Sequence, residues 1–382
     1  MEFALREEQR ELVESARRYS AERLGPRYRD RDRAGELDRE VITEMGGLGF
    51  FGIEFPEKLG GLGMDCLTAG LVVEALCAED LNIGYVTINA SLVGQILAAH
   101  GQADVVDPWI ERMLRGEVLP AIALTEPGGG SDAAALTLRA RRDGEHYVLN
   151  GEKTSISLAT QAGFVVVFAR TGTQESRARG VSAFLVPADS PGLVRTAFDD
   201  HGGRSVGRGS LHFADVRVPA SHLLGEENKG FAQVMQGFDY SRALLGLLCL
   251  AVARKSLDET WAYVRERTSM GSPLWQHQGV SFPLAEADTQ VAGARLLCLQ
   301  TLWLKDRGLP HTAEAAMCKW WGPKLAYDTV GSCLLTHGHG AYATTELPFE
   351  QRLRDLLGLQ IGDGTAQIMK LIIARNKVAE HG

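Results

Sequence analysis

Between residues 120 and 226 the chain changes texture, and that change limits its possible folds more than any other feature. Before it, apolar residues recur at helical spacing, as in Leu12, Ala16 and Tyr19, or Leu71, Val72, Ala75 and Leu76. Within it stand short β-branched and aromatic runs, at residues 163–169, 180–186 and 209–218, separated by Gly, Pro, Asp and Ser. After it, helical periodicity returns in segments near residues 242–260, 285–306 and 313–335. The order predicts an α+β chain of three parts. These are an N-terminal α-helical domain over 1–119, a central small antiparallel β-barrel or sandwich domain over 120–226, and a C-terminal helical bundle domain over 227–382.

Charge and composition narrow the function. The formal charge of -8 comes from 40 basic and 48 acidic residues mixed along the chain, which leaves no basic stripe to neutralise a phosphate backbone, so nucleic acid is not an expected partner. No apolar run approaches the roughly 20 residues a membrane helix needs, and the first eight residues lack the apolar core of a signal peptide. A cytoplasmic, membrane-free protein is expected. Six cysteines without a C-x-x-C pair read as buried free thiols. His337 and His339 lack the carboxylate or thiol companions of a metal site, and no metal is expected.

Three stretches carry chemistry. In ALTEPGGGSD (123–132), Gly128, Gly129 and Gly130 have no Cβ to keep backbone N–H groups from a ligand, although three glycines also make an ordinary loop. NGEKTSIS (150–157) follows at a short interval and offers the hydroxyls of Ser155 and Ser157. IGDGTAQI (361–368) places Asp363 between two glycines, where the carboxylate serves either as a base or as an N-cap for a helix beginning near Thr365.

Together these stretches resemble the acyl-CoA dehydrogenase family, and the similarity extends over nearly the whole chain. The resemblance implies a β-barrel for the middle domain, a four-helix bundle for the C-terminal one, and an FAD-dependent oxidoreductase that introduces an α,β double bond into an acyl-CoA thioester. Asp363 would stand where the family usually has its catalytic glutamate. Leu124, Thr125, Gly130 and Ser131 would contact the flavin, with Ser131 also touching the acyl-CoA. Ser157 would hydrogen-bond flavin N5. Ser155 replaces a usual tryptophan beside the flavin, which puts the electron exit in question. In RTSMGSPLWQHQ (267–278), Arg267 would neutralise pyrophosphate and Gln278 would bond the cofactor, both from a neighbouring subunit; the plain alternative is an exposed helix-end arginine.

LTHGHGAY (335–342) is similar to the family's glycine-rich turn in altered form, with Gly338 and His339 carried over as neighbours of the flavin nucleotide. Thr365 and Gln367 join the cofactor set. Asp239 and Arg242 match positions that contact CoA, against the alternative of a helix-surface ion pair, and Gly364 joins the substrate set. Some relatives carry their base just before the arginine, where Ser241 cannot act as one. Aspartate shortens the base by one methylene, about 1.5 Å. Gly362 replaces a commonly bulky aromatic, and this combination resembles the branch acting on cyclohexanecarboxyl-CoA and related alicyclic thioesters.

The resemblance further implies an electron-transfer flavoprotein as acceptor and a homotetramer or dimer. Three alternatives stay open: an oxidase on the same fold, a dehydrogenase of carrier-protein-bound acyl groups, and a noncatalytic helical partner subunit.

Overall fold

The computed structural model describes residues 4–381; the readings that touch Met1, Glu2, Phe3 and Gly382 lie outside the described residues. Six helices come first: α1 (Glu7–Tyr19), α2 (Tyr28–Ala34), α3 (Arg39–Gly47), α4 (Cys66–Cys77), α5 (Leu81–His100) and α6 (Ala103–Leu114). Asp80 caps α5 by accepting from Asn82 N and Ile83 N at 2.9 and 3.0 Å, and its own charge is met by buried Arg31.

Helix α5 is long and apolar enough to cross a membrane, contrary to the absence of any such run inferred above. Its composition has another cause, because 83% of its most apolar window is buried inside the protein. A helix surrounded by other elements has no polar face to show.

The middle of the chain is one eight-stranded sheet, with β1 (Pro120–Ala123), β2 (Arg139–Asp143), β3 (His146–Ile156), β4 (Phe164–Arg170), β5 (Val181–Pro187), β6 (Leu193–Ala197), β7 (Gly209–Pro219) and β8 (Leu223–Leu224). The order is β6-β7-β3-β2-β4-β5-β8, with β1 paired to β4. Most pairings are antiparallel as expected, but β1 runs parallel to β4, and β2 meets β4 in parallel at Arg139 and Arg170. A forty-residue excursion between β1 and β4 allows the parallel pairing that a hairpin forbids. Every residue of β4 is buried, so its run of valines and phenylalanines does not alternate.

The chain then returns to helices: α7 (Gly230–Glu266), a short hairpin of β9 (Thr268–Ser269) with β10 (Ser272–Pro273), α8 (Gln278–Asp306), α9 (Thr312–His337), α10 (His339–Tyr342), α11 (Phe349–Leu359) and α12 (Ala366–Glu380). Helix α9 packs against α7, α8, α11 and α12. It meets α7 at a glycine pair, where a Cβ on Gly322 would lie 3.0 Å from Gly246 Cα. About one turn upstream of those glycines sit Arg242 and Lys319, so the tight crossing delivers two cations to one place.

Two apolar cores result. One joins the N-terminal helices to the sheet and the start of α7; the other lies within the C-terminal helices and takes in Val73, Cys77, Leu81 and Ile88. Tyr85 packs against both. All six cysteines are free and five are buried.

Candidate active site

A buried ion pair joins the glycine-rich turn to the strand that follows it. Lys153, on β3, donates to Glu126 Oε1 at 2.8 Å and to the Leu124 carbonyl at 2.9 Å. Thr137 donates to Glu126 Oε2 from both N and Oγ1 at 2.7 Å, and Leu138 N donates to Oε1 at 2.9 Å. Thr154 N closes the connection onto the Thr125 carbonyl at 2.9 Å. Burial alone would push the Glu126 carboxyl up, yet the Lys153 charge and the donors outweigh it and hold it below its ordinary range. Burial pulls Lys153 down to about 8, the Glu126 charge opposing, so the pair stays ionised at neutral pH.

With its carboxylate turned inward and saturated, Glu126 presents no free charge to a ligand. The outer edge of the turn is backbone: Gly128 and Gly129 have nothing within 4 Å of where a Cβ would be. Packing does not require these glycines, and an open backbone with the half-buried hydroxyls of Thr125 and Ser157 nearby suits an anionic, hydrogen-bonding cofactor. Leu124 is buried at the base of the turn, while Gly130, Ser131 and Ser155 are exposed. The register of β3 on β7 slips between Lys153 and Ile156, and Ser155 sits in that irregularity at φ 58°. Such irregularities re-aim side chains, and after this one Ser157 accepts a hydrogen bond from Tyr85 Oη at 3.2 Å.

The base candidate comes from the other end of the chain. Helix α11 ends at Leu359 and α12 begins at Ala366, with Thr365 as its N-cap: Thr365 Oγ1 accepts from Ile368 N at 3.5 Å. Asp363 is therefore not the cap. Its φ is 55° and that of Gly364 is 101°, so a non-glycine residue holds a left-handed backbone inside a tight loop. Arg242 Nε donates to the Asp363 carbonyl at 3.5 Å, and Lys319 Nζ donates to the carbonyls of Leu359 and Gly364 at 2.9 and 3.2 Å.

Among the described residues, no hydrogen bond or ion pair reaches the Asp363 carboxylate. Burial raises its pKa, opposed by the charges of Lys319 and then Arg242. The same charge is felt at Tyr85, whose phenol is raised first by burial and then by Asp363. The Asp363 charge thus reaches Tyr85, which in turn bonds Ser157.

Asp239 and Arg242 form a 3.0 Å ion pair, but not on the helix surface: Arg242 is only 4% exposed and lies over the Phe238 ring. Thr312 Oγ1 donates to the other Asp239 oxygen at 2.6 Å. Ser241 is fully buried, its hydroxyl turned to the Phe238 carbonyl. Gly364 and Thr365 lie in the base loop, with Gln367 exposed on the first turn of α12.

The remaining candidates gather elsewhere. Arg267 ends α7, Gln278 opens α8, and Gly338 and His339 follow α9; all four are exposed. This end of the bundle is tied together by His337, which stacks on Tyr263 at 4.2 Å and meets Thr260 Oγ1 at 3.2 Å. Along α7 it stands about 36 Å from Arg242, since a helix rises about 1.5 Å per residue. One chain does not bring the two groups together.

Tyr85, Lys319 and the Glu126–Lys153 pair escaped the sequence reading. Glu126 and Lys153 stood inside both motifs and carried a signal; Tyr85 and Lys319 lie in apolar helical runs and carried none.

A helical, β and helical architecture with an open glycine-rich turn and a carboxylate free of hydrogen bonds among the described residues fits a class of flavin-dependent dehydrogenases, and comparisons specify it. Models of the acyl-CoA dehydrogenase N-terminal, middle and C-terminal domains match residues 6–117, 121–216 and 228–378. The chain is 34% identical over 378 residues to the probable acyl-CoA dehydrogenase YngJ of Bacillus subtilis, covering 98% of this chain and 99% of that one. Butyryl-CoA dehydrogenase from Megasphaera elsdenii superposes with a TM-score of 0.95 at 29% identity, covering 99% and 100% of the two chains. A structure of PigA with FAD and proline superposes with a TM-score of 0.95 at 26% identity over all of both chains.

The chain belongs to the acyl-CoA dehydrogenase family. It is an FAD-dependent oxidoreductase of the acyl-CoA dehydrogenase type.

Proposed function

We propose that Asp363 removes the α-proton of an acyl-CoA thioester whose acyl group bears a ring, cyclohexanecarboxyl-CoA being the model substrate. The observation that carries this reading is the state of the Asp363 carboxylate: half-buried, raised in pKa by desolvation, near two cations, and free of any hydrogen bond among the described residues. A base must keep its lone pairs available and its pKa close to working pH. FAD, when bound, accepts the β-hydrogen as hydride. Leu124, Thr125, Gly130 and Ser131 would hold the flavin end, with Ser155, Thr365 and Gln367 at its margins. Ser157, oriented by Tyr85, would aim its own proton at N5. Ser131, Asp239, Arg242 and Gly364 would line the path of the CoA thioester. The Asp363 backbone N–H would donate to the thioester carbonyl as enolate charge develops.

The ring preference follows from size. Asp363 is one methylene short of glutamate, and Gly362 is exposed, so that a Cβ there would meet nothing within 4 Å in this chain. A rigid, bulky acyl group would meet no side chain at that position and would bring its α-carbon to the shorter base.

Arg267, Gln278, Gly338 and His339 would serve the cofactor of a second copy, in a homodimer or homotetramer. Their distance from Asp363 within one chain supports this, as does the apolar surface around them, where Met270 is 97%, Leu335 80% and Tyr342 73% exposed. An electron-transfer flavoprotein would take the electrons onward. Ser155, exposed where an aromatic wall would stand, favours direct reaction with oxygen as the second reading.

The test is anaerobic mixing of the yellow holoenzyme with cyclohexanecarboxyl-CoA and, separately, a straight-chain acyl-CoA, following flavin absorbance. Faster bleaching by the ring compound supports the proposal. Bleaching by the linear compound alone refutes the ring preference, and oxygen consumption in air during turnover would favour the oxidase.

A further inference from the structure

The loop that carries Asp363 has an unusual backbone and an unusual neighbour. Two consecutive residues, Asp363 and Gly364, hold positive φ. For the aspartate that costs on the order of 1 kcal/mol or more, so surrounding contacts must over-determine the conformation. The contacts come from Lys319, 1% exposed in the middle of α9, with an ammonium that forms no salt bridge among the described residues. It donates instead to two carbonyls that bracket the loop, Leu359 on one side of Asp363 and Gly364 on the other.

A buried lysine charge without a carboxylate partner is expensive, and nothing in helix packing explains a lysine at this position. Its buried neighbours along the helix, Ala315, Ala316 and Cys318, carry no charge. The charge makes sense if the loop and its base need it. We propose that Lys319 is the positioning residue of the base loop: its ammonium, anchored in α9, pins the Leu359 and Gly364 carbonyls so that Asp363 faces the acyl thioester.

This rests on the reading of Asp363 as the base, and it adds a residue from a helix that contributes nothing else to the site. The charged and titratable groups around Asp363 are Lys319 on α9, Arg242 on α7 and Tyr85 on α5. Around Lys319 stand Asp363, Cys249 and Arg242. Arg242 supports the loop from one side only, through the Asp363 carbonyl at 3.5 Å. The two cations differ in consequence, since Lys319 sets backbone geometry on both sides of the base while its charge counters the rise that burial imposes on Asp363.

The variants that test this are Lys319→Gln, which keeps a donor and removes the charge, and Lys319→Arg, which keeps the charge. Each is prepared as holoenzyme, and flavin bleaching by an acyl-CoA is measured across pH beside wild type and Asp363→Asn. The ionised base makes the rate rise with pH, so losing a nearby cation moves that rising limb to higher pH. For Lys319→Gln we expect a limb about one unit higher, the scale of a neighbouring opposite charge. Its limiting rate should be about 10- to 100-fold lower, as for a misplaced catalytic group, with substrate affinity and flavin content unchanged. Lys319→Arg should keep the wild-type limb.

A Lys319→Gln enzyme with wild-type rate and limb overturns the proposal, and so does one that loses rate only in proportion to lost flavin with its limb unmoved. Bleaching by Asp363→Asn at the wild-type rate would refute the base assignment itself, a separate failure. Should Lys319→Gln not yield folded holoenzyme, amide hydrogen exchange of residues 360–364 in Lys319→Arg decides. Protection equal to wild type supports the pinning, and protection lost with rate intact contradicts it.

Discussion

Two carboxylates in this protein face a buried lysine, and they have opposite characters. Glu126 is saturated: Lys153, Thr137 and Leu138 take both its oxygens, and its carboxyl falls below the ordinary range. Asp363 is bare: Lys319 and Arg242 bond the carbonyls of its loop and leave its side chain alone, and its carboxyl rises. The same charge types give a joint in one place and an uncommitted carboxylate in the other. What separates them is where the cation's hydrogen bonds go.

The largest effect that tests this contrast is on chemistry. Asp363→Asn should slow flavin reduction by an acyl-CoA about 10³-fold or more, within or beyond the usual range for a general base, while flavin content stays at the wild-type level. Stopped-flow absorbance under anaerobic conditions measures both. Next comes the joint: Lys153→Met strands a buried Glu126 charge, which typically costs about 3–5 kcal/mol. Denaturant unfolding of that variant should show the loss, and its purified form should hold less FAD. If Lys153→Met were as stable as wild type, the joint would not exist.

A smaller effect is expected where the two regions meet. Ser157→Ala should reduce the rate of flavin reduction about tenfold, the scale of one lost hydrogen bond of about 1–1.5 kcal/mol. Tyr85→Phe, which removes only the hydroxyl that orients Ser157, should do less. A Tyr85→Phe enzyme slower than Ser157→Ala would assign the phenol a role of its own.

The smallest effect is on the pH dependence of stability, and here the two carboxylates differ in sign. Glu126 has a depressed pKa, so its contribution is present at neutral pH and is lost as pH falls through its folded value. Asp363 has a raised pKa, so its ionisation weakens the fold as pH climbs from the ordinary carboxylate range through the raised value. Asp363→Asn should therefore melt higher than wild type at pH 7, with the gap closing in acid; thermal unfolding at several pH values would show it.

Much of this was legible in the chain. The runs of β-branched and aromatic residues between 120 and 226 announced a sheet because such side chains fit a pleated, half-buried surface. Asp363 stood out because it lies between two glycines in a motif with a known register. Lys319 was invisible: one lysine in an apolar helical stretch reads as a solvated charge, and its burial against the loop after α11 depends on tertiary packing. Helix α5 failed as a membrane test for the converse reason, since its apolar faces are all covered by protein. The parallel pairing of β1 with β4 links residues more than 40 positions apart, beyond the reach of local patterns. The capping role of Thr365 depends on backbone angles that the sequence GDGT leaves open.

The central claim is that the bare carboxylate of Asp363 takes the α-proton. Its most direct test separates proton removal from hydride transfer, using an acyl-CoA whose β-carbon is quaternary and so has no hydride to give. Incubated with holoenzyme in heavy water and followed by proton NMR, the α-position should exchange for deuterium with wild type and not with Asp363→Asn. Equal exchange with both would contradict the assignment and place the base elsewhere.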